Sequence, residues 1–340
     1  LAIGFDVIAT DRVLDRVDAQ ALMHRLAADP SVQSVEVDAL MHTALVPNDP
    51  MYNGANDKQW HYFQASGGLN LPAAWDLASG NGQIVAVIDS GRLAHPDLDA
   101  NLVAGYDFVS TPGSGLWQSG DGDGRDPDPT DVSNVQHGTH VAGTIGAITN
   151  NGIGVAGVAF NSRIVHVRVL GNGGYGNTSD IADAITWASG GSVTGVPVIA
   201  IRASVINLSL GGSGGCGAAY QAAIDGAVAR GTAVVIAAGN SNSDVANFTP
   251  DNCDQVIAVA SNDIHGNRAW YSNFGGAIDV TAPGGETCEP NSSNTGCGSI
   301  SHPEEGVLST VGGNSYAYYQ GTSMAAPHVA GVVALIRSKV

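Results

Sequence analysis

Positive charge is scarce in this 340-residue chain: 13 Lys and Arg stand against 31 Asp and Glu, a formal net charge of −18. Such an excess repels a phosphate backbone, so nucleic acid is excluded as a partner. No run of about 18 consecutive apolar residues occurs either, so no membrane-spanning helix is predicted. Charged residues of both signs make up 13% of the sequence and apolar ones 44%, a balance that supports a packed core and separates the chain from acidic disordered tails. Asp6, Asp11 and Arg12 stand where a leader would have its apolar stretch, so any export signal is expected to have been removed from this sequence.

Cysteine is also sparse. Cys216, Cys253, Cys288 and Cys297 all fall in the C-terminal half and none forms a CxxC pair, which removes the spacing signal of zinc ribbons and thioredoxin-like sites. An even number in Gly-, Asn- and Ser-rich loops suits two disulfides in an oxidising compartment. Of the three possible connectivities, Cys288 with Cys297 and Cys216 with Cys253 is the one expected, each bond stabilising by roughly 2–4 kcal/mol.

What is abundant is short apolar runs and glycine. Residues 1–44 read as strand, helix, strand, with segments 5–8, 19–27 and 32–37, a unit too small to hold a core of its own. Pro47, Asn48, Asp49 and Pro50 mark a turn-rich junction into a second part, 45–340. There, β-branched runs at 84–88, 164–169, 205–208, 233–237 and 256–260 alternate with helical patterns at 137–148, 180–188, 218–230 and 323–338. Continuous apolar strands between helices predict an α/β fold, a doubly wound, mostly parallel sheet with helices on both faces. Ligands of such sheets sit beyond the carboxyl ends of the strands, where Asp89, Ser209 and Asn240 are placed.

Three motifs meet at that edge. Ile88-Asp89-Ser90-Gly91 ends a strand with a carboxylate; His137-Gly138-Thr139-His140 opens one helix with a histidine; Gly321-Thr322-Ser323-Met324 opens the last with a serine. A nucleophilic serine needs an imidazole to take its proton and a carboxylate to hold that imidazole in one tautomer. Asn240, in Ala238-Gly239-Asn240-Ser241, offers a side-chain N–H for an oxyanion. A zinc site on His137 and His140 lacks the Glu that HExxH requires.

With these four motifs the chain resembles a subtilisin-like serine protease (subtilase) of the bacterial secreted type. The resemblance extends over nearly all of 45–340 and implies a fold of that type and an endopeptidase acting through an acyl-enzyme, as a monomer, on proteins and peptides in extended conformation. Ser323 resembles the nucleophile, His137 the general base, Asp89 the orienting carboxylate, Asn240 the oxyanion donor and His140 the second, non-catalytic histidine. Gly174, Tyr175 and Gly176 resemble the edge that pairs with substrate; Ser209, Leu210 and Gly211 resemble the opposite edge. The side chain preferred before the cut is expected to be large and apolar. The GxGxxG spacing of 171–176 is not taken as a dinucleotide site, because no acid lies about 20 residues further on.

The acids then divide. Asp121, Asp123, Asp126, Asp128 and Asp131, with Arg125 among them, form a Gly- and Pro-rich loop whose repulsion Ca²⁺ would relieve. A second calcium set follows from resemblance to thermitase-like subtilases: Asp49, Asp97 and Asn151 by side chain, Ile148, Ile153 and Val155 by carbonyl. Residues 1–44 resemble the tail half of a subtilase propeptide, an intramolecular or non-covalent inhibitor, with cleavage expected between His42 and Val46.

Overall fold

The runs of Val, Ile and Ala become strands buried on both faces. In the computed structural model, which describes residues 6–38, 45–52, 58–133 and 135–339, β1 (Ile84–Asp89), β2 (Leu102–Asp107), β3 (Arg163–Arg168) and β4 (Val205–Leu208) are followed by a two-residue β5 (Gly212–Ser213) and β6 (Ala233–Ala237). A two-residue β7 (Phe248–Thr249), β8 (Ile257–Asn262) and β9 (Val280–Pro283) complete the series. Seven of them form one sheet in the order β2-β3-β1-β4-β6-β8-β9, and each neighbouring pair runs parallel. The helices are α1 (Arg16–Ala27), α2 (Leu71–Trp75), α3 (His137–Gly146), α4 (Thr178–Ala188), α5 (Ala218–Ala229) and α6 (Thr322–Arg337).

Alternation along β1 shows why both faces need cover. Val85 and Val87 enter one core with Ile145 of α3 and Ala326 of α6; Ala86 and Ile88 enter the other with Ile185 of α4 and Ile224 of α5. From β1 the chain goes to β2 and β3 on one side, then returns to build β4, β6, β8 and β9 on the other. The strand order therefore reverses at β1, and the carboxyl end of β1 is the switch point at which such sheets bind ligands.

Two antiparallel hairpins follow the sheet, β10 (Cys288–Pro290) with β11 (Cys297–Ser301) and β12 (Val307–Val311) with β13 (Ser315–Tyr319). Cys288–Cys297 joins the first hairpin, and Cys216–Cys253 ties the segment after β5 to the one after β7. Both expected pairings are formed.

The chain divides into two units, Leu1–Ala44 and Leu45–Val340. In the first, Asp15 caps α1 by accepting from the Asp18 N–H at 2.8 Å, but none of the helix is buried. The expected flanking strands do not form: residues 6–8 and 32–37 carry no ladder, and Phe5 lies outside the described residues. Two short strands with one helix bury too little to hold a sheet together. Residues 42–44 of the expected cleavage region also lie outside the described residues.

Candidate active site

Asp89 is the last residue of β1 and fully buried, at the switch point. Both its carboxylate oxygens lie 2.9 Å from His137 Nδ1, in the first turn of α3. His137 Nδ1–H is thereby the donor and Nε2 the acceptor. Gln136 enters the helix at φ +53°, and Ser90 ties the two elements: its hydroxyl accepts from the Gly138 N–H at 3.0 Å and donates to Asp131 at 2.7 Å. Burial works against charge on His137, but Asp89 and, more weakly, Asp131 outweigh it and hold the imidazole above its ordinary range.

Ser323 stands in the first turn of α6. Among the described residues its N–H and the Asn240 Nδ2 donate to no protein group, while Asn240 Oδ1 is fixed by the N–H and hydroxyl of Thr322 at 2.8 and 2.9 Å. A side chain at Gly321, whose φ is +147°, would place its Cβ 3.4 Å from Asn240 Nδ2 and 3.6 Å from the Ser323 nitrogen. Glycine thus keeps open the space that both donors face. Pro327 lacks the N–H that would bond the Ser323 carbonyl, and the Ser209 hydroxyl takes that acceptor at 2.8 Å. The Ser323 hydroxyl donates to the Ser209 carbonyl at 3.2 Å rather than to His137. Catalytic hydrogen bonds often form only once substrate is bound.

His137, Asn240 and Ser323 line one cleft of about 680 Å³ with Gly174, Tyr175 and Gly176 on one segment and Ser209, Leu210 and Gly211 on another. Every residue assigned to substrate by the sequence borders it. His140 serves the fold instead. Its Nε2 lies 3.0 Å from the carbonyls of Val307 and Ala317, its ring stacks on Tyr319, and burial pushes it down to about 3. It is a neutral tie between α3 and the last hairpin. Thr322, Ser90 and the role of Asp131 beneath the histidine escaped the sequence reading. The first two adjoin triad members in quoted motifs, and a hydroxyl beside each was the available signal.

The two calcium sets fare differently. Asp49 and Asp97 are fully buried. Asp97 accepts from Asn151 Nδ2 at 2.7 Å, the Val155 N–H at 2.9 Å and the Tyr316 hydroxyl at 3.2 Å; Asp49 accepts from the N–H groups of Asn150 and Asn151 at 2.9 and 3.3 Å. The loop wraps these acids through Ile148, whose N–H bonds the Asp97 carbonyl at 2.7 Å, and Ile153, whose N–H bonds Asn151 Oδ1 at 2.9 Å. Burial pushes both carboxyls up, Asp97 to about 6 with Asp49 adding to the rise. Two buried acids with no Lys or Arg paired to them among the described residues fit a hard cation such as Ca²⁺.

In the loop 121–131 one assignment is corrected, that of Arg125 as a ligand, and protein groups pair with several of the acids. Asp121 and Asp107 pair with the buried Arg168; Arg125 pairs with Asp180 at 2.6 Å and Asp183 at 2.7 Å, so it neutralises acids of α4 and supplies no ligand oxygen. Asp126 and Asp128 close local turns by accepting from the N–H groups of Asp128 and Thr130, and Asp131 accepts from Ser90 and Ser133. Asp123 is exposed. Arg168, Arg125 and local turns thus engage most of these acids and their neighbours. Among the described residues no three His, Cys, Asp or Glu side chains gather into a metal-binding group.

The pattern of the Subtilase family matches residues 80–340. The extracellular protease of Xanthomonas campestris pv. campestris is 49% identical over 354 residues, spanning 99% of this chain and 57% of its own length. The extracellular basic protease of Dichelobacter nodosus is 39% identical, spanning 99% of this chain and 55% of its own length. This chain therefore spans little more than half of either relative. Thermitase of Thermoactinomyces vulgaris is 36% identical over 86% of both. A solved structure of proteases from Pseudoalteromonas arctica aligns at a TM-score of 0.75 with 51% identity over 86% of each chain. A parallel sheet whose switch point carries a buried Asp paired with a His, in one cleft with a serine at a helix start, agrees with these likenesses, and the chain belongs to the subtilase family.

Proposed function

We propose that this chain is a secreted, calcium-stabilised serine endopeptidase. The observation that carries the reading is the convergence in one cleft of the Asp89–His137 pair, Ser323, and two free N–H donors. An extended substrate lies between 174–176 and 209–211, paired through its backbone. A substrate N–H takes the Ser209 carbonyl from the Ser323 hydroxyl, and the hydroxyl turns to His137 Nε2. His137 accepts the proton as Ser323 attacks, and the charge on Nδ1–H is balanced by Asp89. The Ser323 N–H and Asn240 Nδ2 receive the oxyanion, whose field the start of α6 favours. His137 then protonates the leaving amine, and water resolves the acyl-enzyme by the same path. A serine-directed phosphonate is expected to label Ser323 stoichiometrically, and a protein that stays unlabelled while hydrolysing peptides would sink the reading.

Calcium on Asp49, Asp97 and the 148–155 loop would supply charge compensation and no step of the reaction. At 100-fold excess over its dissociation constant, such an ion stabilises by about 2.7 kcal/mol. Chelation is therefore expected to lower the melting temperature by roughly 5 °C, and Asp97→Asn to abolish the difference between chelated and calcium-loaded samples. Identical melting curves with and without chelator would count against the site.

Secretion is supported by relatives named extracellular proteases and by the two disulfides; no described helix is long and apolar enough to cross a membrane. Residues 1–44 form a separate unit upstream of the family match, which supports a propeptide role as inhibitor.

A further inference from the structure

After β7 the chain turns back through Pro250, Asp251, Asn252 and Cys253. The turn is closed by the Asn252 N–H on the Phe248 carbonyl at 3.2 Å and the Cys253 N–H on the Pro250 carbonyl at 3.1 Å, and pinned by the Cys216–Cys253 disulfide. Within it, Asp251 is 1% exposed, and neither carboxylate oxygen has a hydrogen-bond partner among the described residues. The buried Thr249 Oγ1 and Asn252 Oδ1 are unpartnered as well. Buried polar atoms are nearly always paired, and an isolated carboxylate is among the costliest groups to leave alone. Burial pushes this carboxyl up to about 8; its own N–H and that of Asn252 lie near enough to moderate the rise without forming hydrogen bonds. Alone, the carboxyl is held neutral by its burial, and a cation beside it would make it an anion.

The position says where the cation comes from. Thr249 and Phe248 line the same cleft as Ser323 and Asn240, and Asp251 follows Thr249 by two residues. The walls there are glycine backbone and an aromatic ring: a Cβ on Gly211 or Gly239 would fall 2.6 Å from the Phe248 ring. A side-chain cation brings its own charge and needs one carboxylate.

We propose that Asp251 is the specificity carboxylate for the substrate residue before the scissile bond, and that this chain prefers Arg or Lys there. The proposal rests on the peptidase reading above. It replaces the large apolar residue expected from the sequence, because a buried carboxylate without a partner favours a charged head over an apolar one. The carboxylate, not the aromatic ring, then sets the preference.

The test uses matched peptide anilides that differ only before the cut: Arg, its neutral isostere citrulline, and Phe. Arg is expected to exceed citrulline in kcat/KM by at least about tenfold, and Asp251→Asn to bring that ratio close to one. A wild-type ratio near one, or a ratio that survives the substitution, overturns the proposal while leaving the peptidase reading intact. If Asp251→Asn fails to fold, benzamidine on the wild-type protein decides: competitive inhibition of Phe-peptide hydrolysis supports the proposal, and none overturns it. A stoichiometric metal retained after desalting, together with a wild-type ratio near one, overturns it in favour of an ion site. Failure to cleave any peptide, with no phosphonate adduct, removes both readings.

Discussion

Ser323→Ala is expected to lower kcat by about 10⁶, the loss measured for the triad serine of subtilisin itself, a relative of this chain. Stability barely changes, because the hydroxyl contributes one 3.2 Å bond to the Ser209 carbonyl, worth about 1 kcal/mol. The asymmetry follows from what alanine leaves behind. The Ser323 N–H, the Asn240 amide and the cleft persist, so the variant still binds peptide and polarises its carbonyl, but no nucleophile is left for His137 to activate. His137→Ala alone should cost nearly as much, and the double variant little more than either, since base and nucleophile act as one unit. Steady-state turnover of a peptide anilide, with a melting curve to show that the fold stands, checks this. Activity within tenfold of the wild type would mean that Ser323 is not the nucleophile.

What could be read from the sequence follows from how local each signal is. The strands of the sheet interior announce themselves as unbroken β-branched runs because both faces are buried, and β1 needs no partner to be recognised. The edge strand β2, Leu102–Asp107, mixes Gly105 and half-exposed positions and gives no such run. The triad is legible because each member carries its context within a few residues. The acids of 121–131 are not, because their partners lie far off in sequence: Arg168 ends β3, and Asp180 and Asp183 lie on α4. Charge was visible there and neutralisation was not. Asp251 failed for the opposite reason: an acid after Pro250 reads as an ordinary turn former, and only its burial without a partner sets it apart. At the N-terminus, alternation at 32–37 suggested a strand, but a strand exists only where a ladder partner does.

Asp89→Asn is expected to lower kcat/KM at neutral pH by about 10⁴ while leaving the geometry in place. Both Asp89 oxygens accept from His137 Nδ1–H. An amide presents an N–H where one oxygen stood, which favours the tautomer with the proton on Nε2, and that tautomer cannot take a proton from Ser323. The pH profile separates this from simple loss of packing. In the wild type, burial opposes charge on His137, and Asp89, with help from Asp131, more than offsets it. The acid limb of kcat/KM is therefore expected above the ordinary histidine value of about 6.5. With Asp89 neutral, burial is opposed by Asp131 alone, the imidazole becomes harder to protonate, and the acid limb of the residual activity moves to lower pH. Asp131→Asn should shift the limb the same way by less, with a far smaller loss of rate, because it touches the charge and not the tautomer. The same linkage acts on stability: a raised histidine stabilises the fold below its unfolded pKa, and that contribution fades as pH rises through the folded value. Asp89→Asn should therefore lose more stability at pH 5 than at pH 9. An acid limb that stays in place in Asp89→Asn would mean that Asp89 does not set the charge on His137, whatever the loss of rate.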